Sequence, residues 1–167
     1  PNLEGIRTIL SAHQKLGTGA ILPTLITADD ATMINALAAA AEAQASNLEG
    51  VLGIHLEGPM LNPKKRGIHN SALFRTLSQA MLNALTTHNY GKVLLTVAPE
   101  MIDLSLLLEL TNHGIYLFAG HTEASPDTLA EAINYGLHGF THLYNAMPQM
   151  SSRDSNTTGF ALVGENS

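Results

Sequence analysis

Apolar positions along the chain switch repeatedly between two periods. Leu3, Ile6, Ile9, Leu10 and Leu16 fall at helical spacing and predict a helix over residues 2–16. Ala20–Thr27 is instead an apolar run containing Pro23, which predicts a short strand with an irregular middle. Asp29 or Asp30 can cap a helix reaching about Ser46, and Val51–Glu57 reads as the next strand. A loop from Gly58 to Asn70 follows, long for an α/β unit and therefore a place to look for function. A helix near Leu73–Thr87 leads to a strand at Val93–Ala98 that ends in Pro99-Glu100. Helix Asp103–Asn112 closes at His113-Gly114, where Gly suits a left-handed cap, and strand Ile115–Ala119 delivers Gly120-His121. Ser125-Pro126-Asp127 opens a helix to about Tyr135, with Ser as cap and Pro at the first helical position, before a strand at Gly139–Leu143. Pro148–Gly159 turns polar and irregular, and Gly159–Val163 begins a further helix.

Alternating apolar strands and helices mean a parallel sheet covered by its crossovers. With five strands and no Gly-rich nucleotide turn, the pattern favours a (β/α)8 TIM-type barrel over a Rossmann sheet. A whole barrel needs about 250 residues. The expectation is therefore an α/β fold: a partial barrel of the metal-dependent hydrolase kind, about five βα units, with residues 1–167 its central part.

Composition narrows the partners. The formal charge of −6, with Lys64-Lys65-Arg66 as the one basic run, argues against nucleic acid. There is no cysteine, so a metal must take nitrogen and oxygen ligands; this also fits the cytoplasm. No signal peptide and no bilayer-spanning apolar stretch stand out, since Glu42 and Gln44 interrupt the Ala-rich run 36–45, and no membrane partner is expected.

Three predicted strands end in ligand-type residues: Glu57 before Gly58-Pro59, His121 after Gly120, and His142 before Leu143-Tyr144-Asn145. Carboxyl ends of parallel strands converge on active sites, and one carboxylate with two imidazoles is a catalytic zinc arrangement. Taken singly, Glu57 has a capping or salt-bridging role as its lesser alternative, whereas His121 would more often be a hydrogen-bonded structural histidine. His55 sits two residues before Glu57 and reads as a supporting partner or plain packing, ahead of a ligand for a second metal. His69 closes the long loop and is either solvated or placed to polarise a carbonyl. His13, His88, His113 and His138 receive no role; helix C-termini account for His88 and His113. Asn145-Ala146-Met147 offers an amide and backbone N–H groups to a polar substrate. Arg153 is the sole Arg of the final third and suits phosphate, although a surface role is the default for such an Arg.

The runs His55-Leu56-Glu57-Gly58-Pro59, Arg66-Gly67-Ile68-His69-Asn70, Ala98-Pro99-Glu100, Gly120-His121-Thr122 and Thr141–Met147, with Leu22–Thr27, resemble the N-acetylglucosamine-6-phosphate deacetylase family. These are metal-dependent barrels of the amidohydrolase superfamily. The resemblance implies that Glu57, His121 and His142 hold a divalent metal, zinc first and iron or another divalent ion next. Such a metal lowers the pKa of the hydrolytic water toward about 7. It further implies that His69 binds the acetamide carbonyl and its oxyanion, and that Asn145 and Ala146 touch the sugar phosphate. Arg153 would reach the phosphate across a subunit interface, implying a homodimer or higher oligomer. The run 149–158 departs from the Gly-Arg-Glu-Pro-Gly that surrounds the matching Arg in the family.

In the family the general acid/base Asp and a further phosphate-contacting His lie in a region following Ser167. The first strand and a small β-sandwich lie before Pro1. The isolated chain is accordingly expected to be unstable or inactive, with exposed sheet edges. Two other readings are another amidohydrolase acting on a different N-acyl or cyclic amide, and a non-catalytic fragment that binds a phosphosugar or a metal.

Overall fold

A computed structural model describes residues 1–87 and 90–163, so His88 lies outside the described residues. Five strands form one parallel sheet in sequential order: β1 (Thr24–Ile26), β2 (Gly53–Glu57), β3 (Lys92–Val97), β4 (Ile115–Ala119) and β5 (Leu137–Phe140). The helices are α1 (Leu3–Gln14), α2 (Asp30–Ala45), α3 (Gln79–Thr87), α4 (Leu104–Asn112), α5 (Pro126–Asn134) and α6 (Asn156–Val163).

Alternation along each strand sorts the side chains between two faces. Ile54, Leu56, Val93, Leu95, Val97, Ile115 and Leu117 point to one face and pack with Met33, Leu37, Met81, Leu107, Leu110 and Leu129 of the helices. The other face carries His55, Glu57, Thr96, Tyr116 and Phe118, and Ile26 and Tyr116 remain 42% and 37% exposed there. Helices on one face and strands in sequential order are the arrangement of a (β/α)8 barrel, here with an unclosed sheet; a doubly wound sheet would place helices on both faces. The α2 helix explains the Ala-rich run. Its Met33, Leu37 and Ala40 meet the sheet, while Ala39 and Ala43 admit Ile6 and Leu10 of α1 on the opposite side. Among the described residues, no helix is long and apolar enough to cross a membrane.

Most element boundaries follow the sequence reading, and caps mark them: Asn2, Asp29, Asp103 and Ser125 each accept a backbone N–H of the first turn. Four regions differ, the simplest being the last helix, expected from Gly159 and begun at Asn156. The expected strand Ala20–Thr27 pairs regularly only from Thr24, with a single bridge from Ile21 to Val51, because Pro23 has no N–H to donate. The helix expected near Leu73 begins at Gln79. Residues 71–73 form a 3-10 turn, and Arg75 pins the following stretch by donating to Asp30 Oδ1 (2.5 Å), Leu73 O (2.7 Å) and Ala28 O (2.9 Å). Finally, the strand expected at Gly139–Leu143 spans Leu137–Phe140, so His142 lies in the turn beyond it.

Arg75→Ala is expected to destabilise the fold by about 1–3 kcal/mol in urea unfolding, since it leaves two carbonyls and a carboxylate without their donor. The Ser78 hydroxyl, and then Arg75, hold the Asp30 carboxyl below its ordinary value of 3.8. A depressed acid stabilises the fold above its unfolded-state pKa, so this contribution is complete at neutral pH and fades as the pH falls through the carboxylate range.

Candidate metal centre

Three strand ends and one loop meet at the carboxyl edge of the sheet. Glu57 is the last residue of β2, His121 lies two residues past β4, and His142 two residues past β5. His121 and His142 adopt left-handed backbone angles (φ 49° and 35°), as do Tyr144 (77°) and Ala146 (52°) in the same turn. A non-Gly residue held there costs on the order of 1–3 kcal/mol, and such strain gathers at functional sites. Next to Glu57, Gly58 has φ +93°, and a Cβ there would lie 2.2 Å from Thr27 Oγ1. That hydroxyl donates to Glu57 O at 3.0 Å, so only glycine lets the chain leave β2 this closely.

The polar atoms converge. Glu57 Oε1 lies 3.0 Å from His121 Nε2 and 3.1 Å from His142 Nε2, and the two nitrogens are 3.1 Å apart. The other ring nitrogens decide the protonation. His121 Nδ1 faces Lys65 O at 2.7 Å and His142 Nδ1 faces Asn145 O at 3.1 Å. A carbonyl only accepts, so each Nδ1 carries the hydrogen and each Nε2 of the neutral ring presents a lone pair. Two lone pairs and a carboxylate oxygen therefore face one another, a repulsive set unless a cation lies between them. Their spacing is close to the about 3.3 Å edge of a tetrahedron built on zinc–nitrogen bonds of about 2.0 Å.

The titration behaviour has the same origin. The His121 hydrogen bond, opposed by burial, brings the Glu57 carboxyl down to about 2. Burial works against a charged His121, yet the Glu57 hydrogen bond and the Lys65 carbonyl together raise its pKa. A proton on His121 is one way to relieve the cluster; a divalent ion is the other. Glu57, His121 and His142 thus fit a divalent metal, and their side chains are 11%, 6% and 32% exposed.

His69 completes the cluster in the opposite tautomer. Its Nδ1 lies 3.0 Å from Thr27 Oγ1, which can donate or accept, and 3.3 Å from Thr27 N, which can only donate. The amide therefore places the lone pair of the neutral ring on Nδ1 and the hydrogen on Nε2, which points at Glu57 Oε2 from 3.6 Å. Burial, and the charge of His121 when that ring is protonated, lower its pKa and favour the neutral ring. The ligand-type atoms of Glu57, His69 and His121 also lie within 4.8 Å of one another. The tautomers distinguish the two triads: His69 offers an N–H where His142 offers a lone pair.

Below the cluster His55 is fully engaged, with Nδ1 3.0 Å from Thr24 Oγ1 and Nε2 2.8 Å from Thr96 Oγ1; Thr96 in turn lies 2.6 Å from Thr141 Oγ1. Thr96→Val would orphan a nitrogen of His55 and the hydroxyl of Thr141. A loss of about 1–3 kcal/mol in urea unfolding is the expected result.

Asn145 and Ala146 stand in the His142 turn, where Asn145 O meets His142 Nδ1 and Ala146 O accepts the Thr122 N–H at 3.2 Å. Arg153 is set apart. It is exposed, in a turn closed by Ser151 N to Asp154 O, and among the described residues its side chain makes no hydrogen bond or ion pair. His113 bonds Glu109 O at its helix end, and His138 Nδ1 accepts the Leu117 N–H.

Several participants were not assigned roles from sequence: Thr27, Thr96 and Thr141, the Lys65 carbonyl, and Glu100. The recurrence of Thr at the carboxyl ends of strands was the available signal for the first three.

No protein-family model matches the chain. Among curated proteins it is 39% identical over 166 residues to an N-acetylgalactosamine-6-phosphate deacetylase of Shewanella sp. (strain ANA-3), covering 99% of this chain and 42% of that protein. It is 30% identical over 164 residues to an N-acetylglucosamine-6-phosphate deacetylase of Vibrio furnissii, covering 96% and 41%. Among solved structures, the N-acetylglucosamine-6-phosphate deacetylase of Pasteurella multocida superimposes with a TM-score of 0.90 at 30% identity, over 98% of this chain and 43% of that one. The enzyme of the same name from Thermotoga maritima gives 0.75 at 28% identity, over 84% and 38%. In sequence and in fold alike, the chain is a homologue of the N-acetylhexosamine-6-phosphate deacetylases, related over nearly its whole length and spanning about two fifths of theirs.

Proposed function

We propose that this chain forms the central βα units of a (β/α)8 barrel and carries the metal-binding part of an active site. The reaction is hydrolysis of the acetamide of N-acetylglucosamine 6-phosphate to glucosamine 6-phosphate and acetate. The observation that carries the reading is the convergence of two imidazole lone pairs on Glu57 Oε1, with the His69 N–H directed into the same space. Glu57, His121 and His142 would hold the ion, zinc in the first place and iron in the second. When bound, a divalent ion supplies Lewis acidity and brings the pKa of a water toward about 7.

The remaining roles fall to this chain's own side chains and carbonyls. His69 Nε2–H donates to the acetamide oxygen, and more strongly once water adds to the carbonyl carbon and that oxygen becomes an anion. The Lys65 and Asn145 carbonyls fix the tautomers of His121 and His142, so neither ring competes as a donor. Asn145 and Ala146 bind the sugar phosphate. Exposed Arg153 meets the phosphate of a neighbouring subunit, which makes the working form a homodimer or a higher oligomer. A phosphosugar substrate is charged and does not cross bilayers unaided, which supports a cytoplasmic reaction on sugars phosphorylated there.

A second reading differs at a single sugar carbon. The relative at 39% identity is named for N-acetylgalactosamine 6-phosphate, which supports that epimer as the substrate. Acetate release from both epimers, with added zinc and the longest natural form of the polypeptide, tests both. Turnover of the gluco epimer bears out the first reading and preference for the galacto epimer the second. Release from neither, with metal bound, leaves an amidohydrolase for another N-acyl or cyclic amide, or a phosphosugar-binding protein without turnover.

A further inference from the structure

Glu100 stands outside the metal cluster, yet both segments that hold His121 are fastened to it. It lies in the 3-10 turn Pro99–Met101 directly after β3. Its Oε1 accepts from Asn62 Nδ2 at 2.8 Å and from Glu123 N at 2.6 Å, and its Oε2 accepts from Thr122 Oγ1 at 2.5 Å. Thr122 and Glu123 continue the chain from His121. Asn62 belongs to the long loop, and its N–H donates to His121 O at 2.9 Å. Three residues further along that loop, Lys65 O receives the His121 Nδ1–H. One carboxylate therefore ties the turn that presents the imidazole to the loop whose carbonyl sets its orientation and tautomer.

We propose that Glu100 is a positioning residue for the metal centre: it holds His121 so that Nε2 faces the ion. The proposal rests on the metal reading of Glu57, His121 and His142. Hydrogen bonds to an ionised carboxylate are short and roughly twice as strong as neutral ones, and three of them restrain a group strictly. His121 needs restraint because its backbone is held at a positive φ, which it would leave if released. The loop and the turn also meet through the His69 ring, edge-on to His121 at 4.5 Å, and through Lys64 and Lys65, which reach Glu123 at 3.6 and 3.3 Å. Those lysine side chains are 78% and 27% exposed, and partly exposed ion pairs restrain less than three bonds to one carboxylate.

The test is a cobalt(II) titration of chelator-treated protein, in the longest natural form, following the visible d–d bands, with zinc measured by competition. Glu100→Ala is expected to weaken both ions by about 10–100-fold and to alter the band pattern, because the nitrogen ligand is misaligned. Glu100→Gln keeps an oxygen for Asn62 and Glu123 and is expected to bring affinity to within about threefold of wild type and restore the bands. Asn62→Ala cuts the loop arm alone and is expected to weaken binding in the same direction, which keeps the test open if Glu100→Ala does not fold. Wild-type affinity and bands in Glu100→Ala, or in Asn62→Ala where the former is insoluble, overturn the proposal. So does an affinity loss that Glu100→Gln does not reverse. A wild-type protein that binds neither ion instead overturns the metal reading beneath it.

Discussion

Glu57→Ala is expected to lower zinc affinity by more than about a hundredfold and to abolish acetate release. Changes to partners of metal ligands already cost 10–100-fold, and a ligand contributes more than its supports. Glu57 supplies the one anion of the donor set, and its Oε1 is the atom both imidazole nitrogens approach. Without it, two neutral nitrogens remain to hold a doubly charged ion. Metal content after dialysis, and thermal unfolding with and without zinc, check the expectation. Zinc at about one hundred times its dissociation constant should stabilise the wild type by about 2.7 kcal/mol and leave the variant unmoved. Stoichiometric metal in Glu57→Ala would place the ion elsewhere.

His69→Asn should separate chemistry from metal binding. The asparagine oxygen can accept the Thr27 N–H that His69 Nδ1 accepts now, so the buried donor stays paired. Metal content should not change, while kcat falls by about 10²–10³-fold as the donor to the developing oxyanion is lost. KM should move little, the pattern of an interaction made chiefly in the transition state. His142→Ala should do the reverse and release the metal. The opposite pairing, with metal lost in His69→Asn and kept in His142→Ala, would make Glu57, His69 and His121 the ligand triad.

The elements were largely legible because their signals are local. Asp29, one of two candidates, and Ser125 cap the helices that their positions suggested, and Asp103 caps the helix it was expected to begin. The apolar runs of β2, β3 and β4 are short and bounded by turn residues, as strands are. The boundaries that moved were those set at a distance. Arg75 reaches back 45 residues to Asp30, and this contact delays α3, which no periodicity announces. A register irregularity between Leu117 and Phe118 accompanies an earlier β5, which leaves His142 in a turn.

Glu57, His121 and His142 could be named together because strand ends in a parallel sheet share an edge, so three separate motifs needed only the fold class to meet. Glu100 could not be assigned a role in the same way. Its partners are Asn62, Thr122 and Glu123, residues with no chemical signature of their own at those spacings.

The sequence by itself determined the alternating parallel architecture, the edge on which chemistry gathers, and the nitrogen and oxygen donors available there. Only the tertiary structure decided which imidazoles offer lone pairs and which offers an N–H. A histidine's tautomer is set by the atom facing its second nitrogen. For His121 that atom is a carbonyl 56 residues away, for His69 an amide 42 residues away, and for His142 a carbonyl brought round by a left-handed turn.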